Sequence, residues 1–177
     1  MTDTSAQEAA HRAASDQERI AWVDEHDRVQ GGVPRAQLRA QGLIGRGTFV
    51  LLFNSSGQLC VHQRVASKAV YPSYFDMTAG GMVGEHESYE TCAARELQEE
   101  LGIAAELTPH GHFFFDEPDN RIWGGVFSAI SDDALRIQPE EVQRAWFMPL
   151  EAVLADIDRN QYCPDSLVAL KVYLASR

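Results

Sequence analysis

Glu96, Glu99 and Glu100 stand together in the run Arg95-Glu96-Leu97-Gln98-Glu99-Glu100. On an α-helix, residues three and four apart are neighbours, so this spacing sends the three carboxylates out from one side of the cylinder. Like charges so placed repel by roughly a few tenths of a kcal/mol per pair in water, and by more when desolvated, so the arrangement calls for a cation. A hard divalent ion fits. Mg²⁺ takes one or two carboxylates, keeps several waters and leaves positions open for phosphate oxygens. Arg95, one turn before Glu99, is placed to pair with it and hold it still.

A helix must carry these acids, and its ends are legible. Ser88 is the N-cap, Glu90 sits in the first turn where the helix dipole favours negative charge, and Gly102 is the residue that ends the helix. Ala93, Leu97 and Leu101 recur every four residues as the stripe that turns inward. Gly80, Gly81 and Gly84 precede the helix, so the loop before it can fold tightly and aim backbone groups at a ligand.

The whole stretch 81–103, GMVGEHESYETCAARELQEELGI, resembles the signature of the Nudix hydrolases, G-x(5)-E-x(7)-R-E-U-x-E-E-x-G-U with U a bulky aliphatic residue. Every defined position is met. At roughly one in fifteen per fixed position, a chance match at a given site falls to about one in 10⁸, which sets aside a merely solvated acidic helix. The resemblance extends over residues 22–174. Trp22 to Glu25, Gln63-Arg64, Ser67-Lys68 and the run Phe75 to Gly81 look like the YfcD-type branch, whose layout is close to that of isopentenyl-diphosphate isomerase. It implies an α/β/α sandwich around a mixed β-sheet. It also implies Mg²⁺ or Mn²⁺ held by Glu96, Glu99 and Glu100, with the Gly80 carbonyl as a further ligand, and Glu87 and Arg95 as supports joining loop to helix.

The activity so implied is hydrolysis of a small-molecule diphosphate, a nucleotide derivative, by water attacking phosphorus in line. Family members take the general base either from the helix acids or from a later loop, where this chain offers Glu140 and Glu141. Glu141 is the choice, because the strand after it returns to the sheet; two solvated loop acids are the alternative. Arg64 and Lys68 lead into the glycine loop and are assigned to substrate phosphates, against the alternative of a surface pair. Two rival activities remain. An isomerase of prenyl diphosphates would need a catalytic Cys and a metal-binding His before the helix, where Gly80 and Met82 stand. A non-catalytic diphosphate-binding module would fit better had a box acid been lost.

Other residues carry less. His110 and His112 alternate, so a strand would place them on one face, yet no third ligand accompanies them and structural roles are expected. Tyr74, Phe75 and Trp123 are expected in the core rather than against a substrate ring. Cys60, Cys92 and Cys163 form no C-x-x-C pair and suggest buried thiols in a reducing compartment.

Length and charge bound the rest. A chain of 177 residues with 45% hydrophobic residues describes one domain, expected over 18–177 after a tail at 1–17 that is either frayed or a loose helix. The net charge of −11 argues against nucleic acid or an anionic membrane as partner, though not against a phosphorylated small molecule gripped in a locally basic cleft. No apolar run reaches a membrane span and no signal-peptide layout appears, so the cytoplasm is expected. Oligomeric state is left open, a homodimer included. Strands are expected at 20–23, 28–33, 48–53, 58–64, 75–80, 111–115, 121–130 and 143–148, with 58–64 as hairpin partner of 48–53. Helices are expected at 34–41, 150–157 and from Pro164 onward.

Overall fold

The computed structural model describes residues 4–177. Its centre is β3 (Ile44–Phe53), where nine of ten residues are buried. Phe49, Leu51 and Phe53 point to one face, Val50 and Leu52 to the other, so both faces of this apolar run are covered. One edge of β3 pairs in parallel with β7 (Asn120–Ile130), from Gly45↔Ile122 to Phe53↔Ile130. β6 (Thr108–Glu117) pairs antiparallel with β7, and β1 (Arg19–Val23) joins the start of β3 to β2 (Val29–Pro34). The sheet is therefore mixed.

The other edge of β3 is shared, and this positions the site. Val50 bridges Ala79 and Gly47 bridges Met82, so the glycine segment before the acidic helix is hydrogen-bonded to the central strand. β4 (Gln58–Arg64) therefore meets β3 at Phe53↔Leu59 alone and takes β8 (Val142–Pro149) along its length, with β5 (Phe75–Asp76) on its other side. The expected β3–β4 hairpin is present but short: the strands pair antiparallel around the turn at 54–57, and the glycine segment occupies the rest of that edge of β3.

Helices cover both faces. α3 (Tyr89–Leu101) packs Cys92, Ala93, Leu97 and Leu101 on Val50, Leu52 and Phe127. α4 (Leu150–Asp156) and α5 (Pro164–Ala175) pack Val153, Ala169 and Leu170 on Phe49, Leu51 and Phe53. The result is an α/β/α sandwich. Each fully buried Leu or Val contributes about 1.5–3 kcal/mol, so these two layers carry most of the stability. α2 (Arg35–Ala40) buries Leu38, its expected anchor.

One expectation changes. His110 and His112 lie on opposite faces, because the β6–β7 register slips between Pro109 and Gly111 and Gly111 takes φ 128°. His110 bonds Ser128 and Ser176, whereas His112 packs on Tyr89. They form no metal pair. The N-terminal segment, read as a frayed tail or loose helix, is a helix over Thr4–Gln17 (α1) tied to the body by polar contacts described below; residues 1–3 lie outside the described residues. Among the described residues, no helix is long and apolar enough to cross a membrane. All three cysteines are free and buried.

Candidate catalytic site

The caps of α3 hold the acids in register. Ser88 accepts the Thr91 N–H at 3.1 Å, and Gly102 closes the helix in the left-handed region at φ 71°. Because Ala93, Leu97 and Leu101 must face the sheet, the flanking Glu96 and Glu100 are drawn to the border of the buried face. Glu100 keeps 3% of its surface and Glu96 9%, while Glu99 points outward. The three acids thus divide into a buried pair and a rim acid.

Burial without enough counter-charge raises both buried acids. Desolvation pushes Glu100 up to about 7, with Lys68 opposing and Glu96 adding to the rise. Glu96 is raised for the same reason, opposed by Arg95. The Gly80 N–H donates to Glu100 at 3.1 Å. A side chain at Gly80 would run into the Thr48 carbonyl, and one at Gly81 into the Glu96 carboxylate, so glycine is required where the loop passes between strand and acids.

Arg95 ties helix to loop. Its Nε and Nη2 donate to the two oxygens of Glu87 at 2.9 and 3.0 Å, and its Nη1 donates to Glu96 at 2.8 Å and Glu99 at 3.1 Å. Glu87 also accepts the Gly84 N–H at 2.9 Å. Loop and acids therefore move as one body.

A cavity of about 360 Å³ opens over this arrangement. It is lined by Glu96, Glu99 and Glu100, by Gly80-Gly81, by Lys68 and Glu141, and by His11, Ala14 and Ser15 of α1. Glu141 lines the cavity and Glu140 does not. Glu141 is ion-paired with Lys68, and His11 Nε2 lies 2.5 Å from its Oε1. Lys68 is lowered to about 8 by burial and by Arg64. Arg64 itself is committed to its own loop: Nε donates to the Tyr71 carbonyl at 3.2 Å, Nη2 to the Val70 carbonyl at 3.1 Å, and Nη1 approaches Asp76 at 3.5 Å.

A second cavity of about 180 Å³ adjoins the first, with Gly80, Gly81, Lys68 and Arg35 in the wall common to both. Phe49, Met82 and Ile122 supply apolar lining there, and Asn120 and Asp165 polar lining. Asn120 donates to Asp165 at 2.8 Å, and burial raises the Asp165 carboxyl to about 6. Arg35 donates to Ser15 at 2.8 Å and Glu18 at 3.0 Å, yet its Nε is buried without a partner. Sequence reasoning missed Arg35 and His11, since neither belongs to a motif. A signal for Arg35 was available in the run 28–75, which carries six basic residues and no acidic one in a chain of net charge −11. Tyr74 packs on Tyr71, Phe75 on Trp146 and Tyr162, and Trp123 on Phe114.

Among the described residues, no three His, Cys, Asp or Glu side chains converge tightly enough to hold a metal ion unaided. The donor set still fits one class of ion. Two buried carboxylates raised by desolvation, beside a third at the rim, are hard oxygen donors whose burial Arg95 and Lys68 do not offset, and Mg²⁺ or Mn²⁺ completes its shell with water and substrate oxygens. Glu96, Glu100 and Glu99 would hold it.

Comparison with known proteins agrees with this geometry. The family model described as NUDIX domain matches residues 43–165. The chain is 62% identical over 166 residues to the uncharacterized Nudix hydrolase PA4841 of Pseudomonas aeruginosa, covering 93% of this chain and 98% of that one. It is 36% identical over 166 residues to the Nudix hydrolase YfcD of Escherichia coli, covering 90% and 91%. Among solved structures it is similar to DR0079 from Deinococcus radiodurans, with a TM-score of 0.75 and 27% identity over 88% of this chain and 99% of that one. With the acids, the glycine loop and the Arg95 tie all contained in the matched span, the chain is an enzyme that belongs to the Nudix hydrolase family.

Proposed function

We propose that this Nudix hydrolase is a pyrophosphohydrolase dependent on Mg²⁺ or Mn²⁺, cleaving a nucleoside diphosphate linked to a second moiety in the cytoplasm. The observation that carries the reading is the single cavity that gathers buried Glu96 and Glu100, Lys68 and Glu141. When bound, the ion neutralises the diphosphate and acidifies a water molecule. Glu96, Glu99 and Glu100 would hold it, and Arg95 keeps Glu96 and Glu99 from turning away. Lys68 and the unpartnered Nε of Arg35 grip phosphate oxygens at the wall between the two cavities. Glu141 takes the proton of the attacking water, and the second phosphate leaves without a covalent enzyme intermediate. The adjoining cavity receives the moiety beyond the diphosphate.

The test is a panel of nucleoside di- and triphosphates, nucleotide sugars, dinucleoside polyphosphates and isopentenyl diphosphate, incubated with Mg²⁺, Mn²⁺ or chelator. Cleavage of one nucleotide class, lost in chelator, is the expected result. Isomerisation of the prenyl diphosphate without hydrolysis of any nucleotide would overturn the reading.

A further inference from the structure

We infer that α1 is a wall of the catalytic cavity and that its His11 is a positioning residue for Glu141, an inference that rests on the proposed role of Glu141. A helix docked for hydrophobic burial turns its apolar stripe inward. α1 does the reverse. Its half-buried side chains are Glu8, His11, Ser15 and Asp16, spaced along one face, whereas Ala9, Ala10 and Ala13 are exposed. The helix is tied down by hydrogen bonds to segments that border the two cavities. Arg35 and Arg39 of α2 reach Ser15 at 2.8 Å and Asp16 at 2.5 Å, and Arg12 donates to the Ser67 carbonyl beside Lys68 at 3.3 Å. A helix held by polar contacts around a catalytic cavity is placed there for what its polar face touches.

That face touches Glu141. Glu141 stands on the turn before β8, where its backbone N–H bonds the Gln138 carbonyl and its carbonyl accepts the Val65 N–H, contacts that fix the main chain and leave the side chain free to rotate. Two partners from distant segments restrain the carboxylate: Lys68 on one oxygen, His11 on the other. A substrate phosphate competes for Lys68, because it offers that ammonium a second anion. Among the described residues the His11 ring bonds Glu141 and no other side chain, even with Glu18, Glu96, Glu99, Glu100 and Gln138 lining the same cavity. With Lys68 turned to phosphate, His11 keeps Oε1 in place and leaves Oε2 aimed at water.

Two measurements test this. The first needs no turnover: the ring ¹⁵N resonances of His11 are compared between wild type and Glu141→Gln at one pH with Mg²⁺. They are expected to move, and unmoved resonances overturn the contact. The second uses the panel substrate that wild type hydrolyses fastest. His11→Ala is expected to lower kcat by about tenfold with KM little changed, as loss of a hydrogen bond to a charged group would do. His11→Gln, which keeps a donor at similar reach, restores most of it, and in a Glu141→Gln background His11→Ala has no further effect. Wild-type kcat in His11→Ala, or the same fold-loss in both backgrounds, overturns the positioning role. Wild-type turnover in Glu141→Gln instead refutes the base assignment itself and removes the positioning role with it, whatever the resonances show.

Discussion

Replacing Glu100 with Gln should abolish turnover and make the metal-free protein more stable at alkaline pH. The folded carboxyl titrates near 7 against an ordinary value of 4.5, because it is buried beside Glu96. Between those two values the native state holds a proton that the unfolded chain has released, so stability falls as pH rises through that window, and the loss is complete above about pH 7. A pKa moved from 4.5 to about 7 corresponds to about 3 kcal/mol. Gln is an isostere without the charge, so it escapes this loss. The gain is partly offset, since Lys68 draws support from Glu100.

The assay is urea unfolding in chelator from pH 4 to pH 8.5. Wild type and Glu100→Gln should coincide near pH 4, and the variant should lead by up to about 3 kcal/mol at pH 8, equivalent to about 5–10 °C in Tm. Adding Mg²⁺ should raise wild type and raise the variant, which keeps Glu96 and Glu99, much less, because an ion that binds only the native state stabilises it by mass action. Parallel curves across the whole pH range would refute the assignment of Glu100 as a desolvated acid awaiting a cation.

Other perturbations follow from contacts already described. Gly80→Ala drives a methyl group into the Thr48 carbonyl and should cost about 3 kcal/mol in thermal unfolding, with activity lost as the loop leaves β3. Arg95→Ala unties Glu87, Glu96 and Glu99 at once; chemical denaturation in chelator should show a loss of about 2–3 kcal/mol, part of it recovered by Mg²⁺. Arg35→Ala should raise KM by about tenfold while kcat changes little, and an unchanged KM in steady-state kinetics would count against a phosphate grip at that wall.

What could be read from the chain divides along physical lines. Local signals were readable: Ser88 and Gly102 as caps, the Ala93-Leu97-Leu101 stripe and the apolar run of β3 depend on residues within a turn or two of each other. Pairing over distance was not. The parallel β3–β7 ladder and the seating of the glycine segment on β3 join residues far apart, and nothing in either partner names the other. His110 and His112 were misaligned by one inserted residue, which reverses the face of all that follows it. The acids were readable as a set, yet their division into a buried pair and a rim acid depends on how the helix rolls against the sheet. Arg35 and His11 reach the cavity from elements without motif, and α1 packs by its polar face, against the rule by which helices are oriented from sequence.

The fastening of the glycine segment to β3 has a consequence for how such an enzyme changes over time. The glycine segment and the acids form one welded unit, joined through Glu100, Glu87 and Arg95. The surrounding walls come from separate stretches: α1, α2, the segment around Lys68 and the turn at Pro118 and Asp119. Drift in a wall leaves the welded unit as it was, although α1 is tied to α2 by Arg35 and Arg39 and to the Lys68 segment by Arg12, so these three walls shift together while the turn at Pro118 and Asp119 stands apart. Selection for a new leaving group therefore has dials to turn outside that unit, and a mutant library confined to these stretches, with His11, Arg35 and Lys68 held, should keep the fold while it samples new substrates.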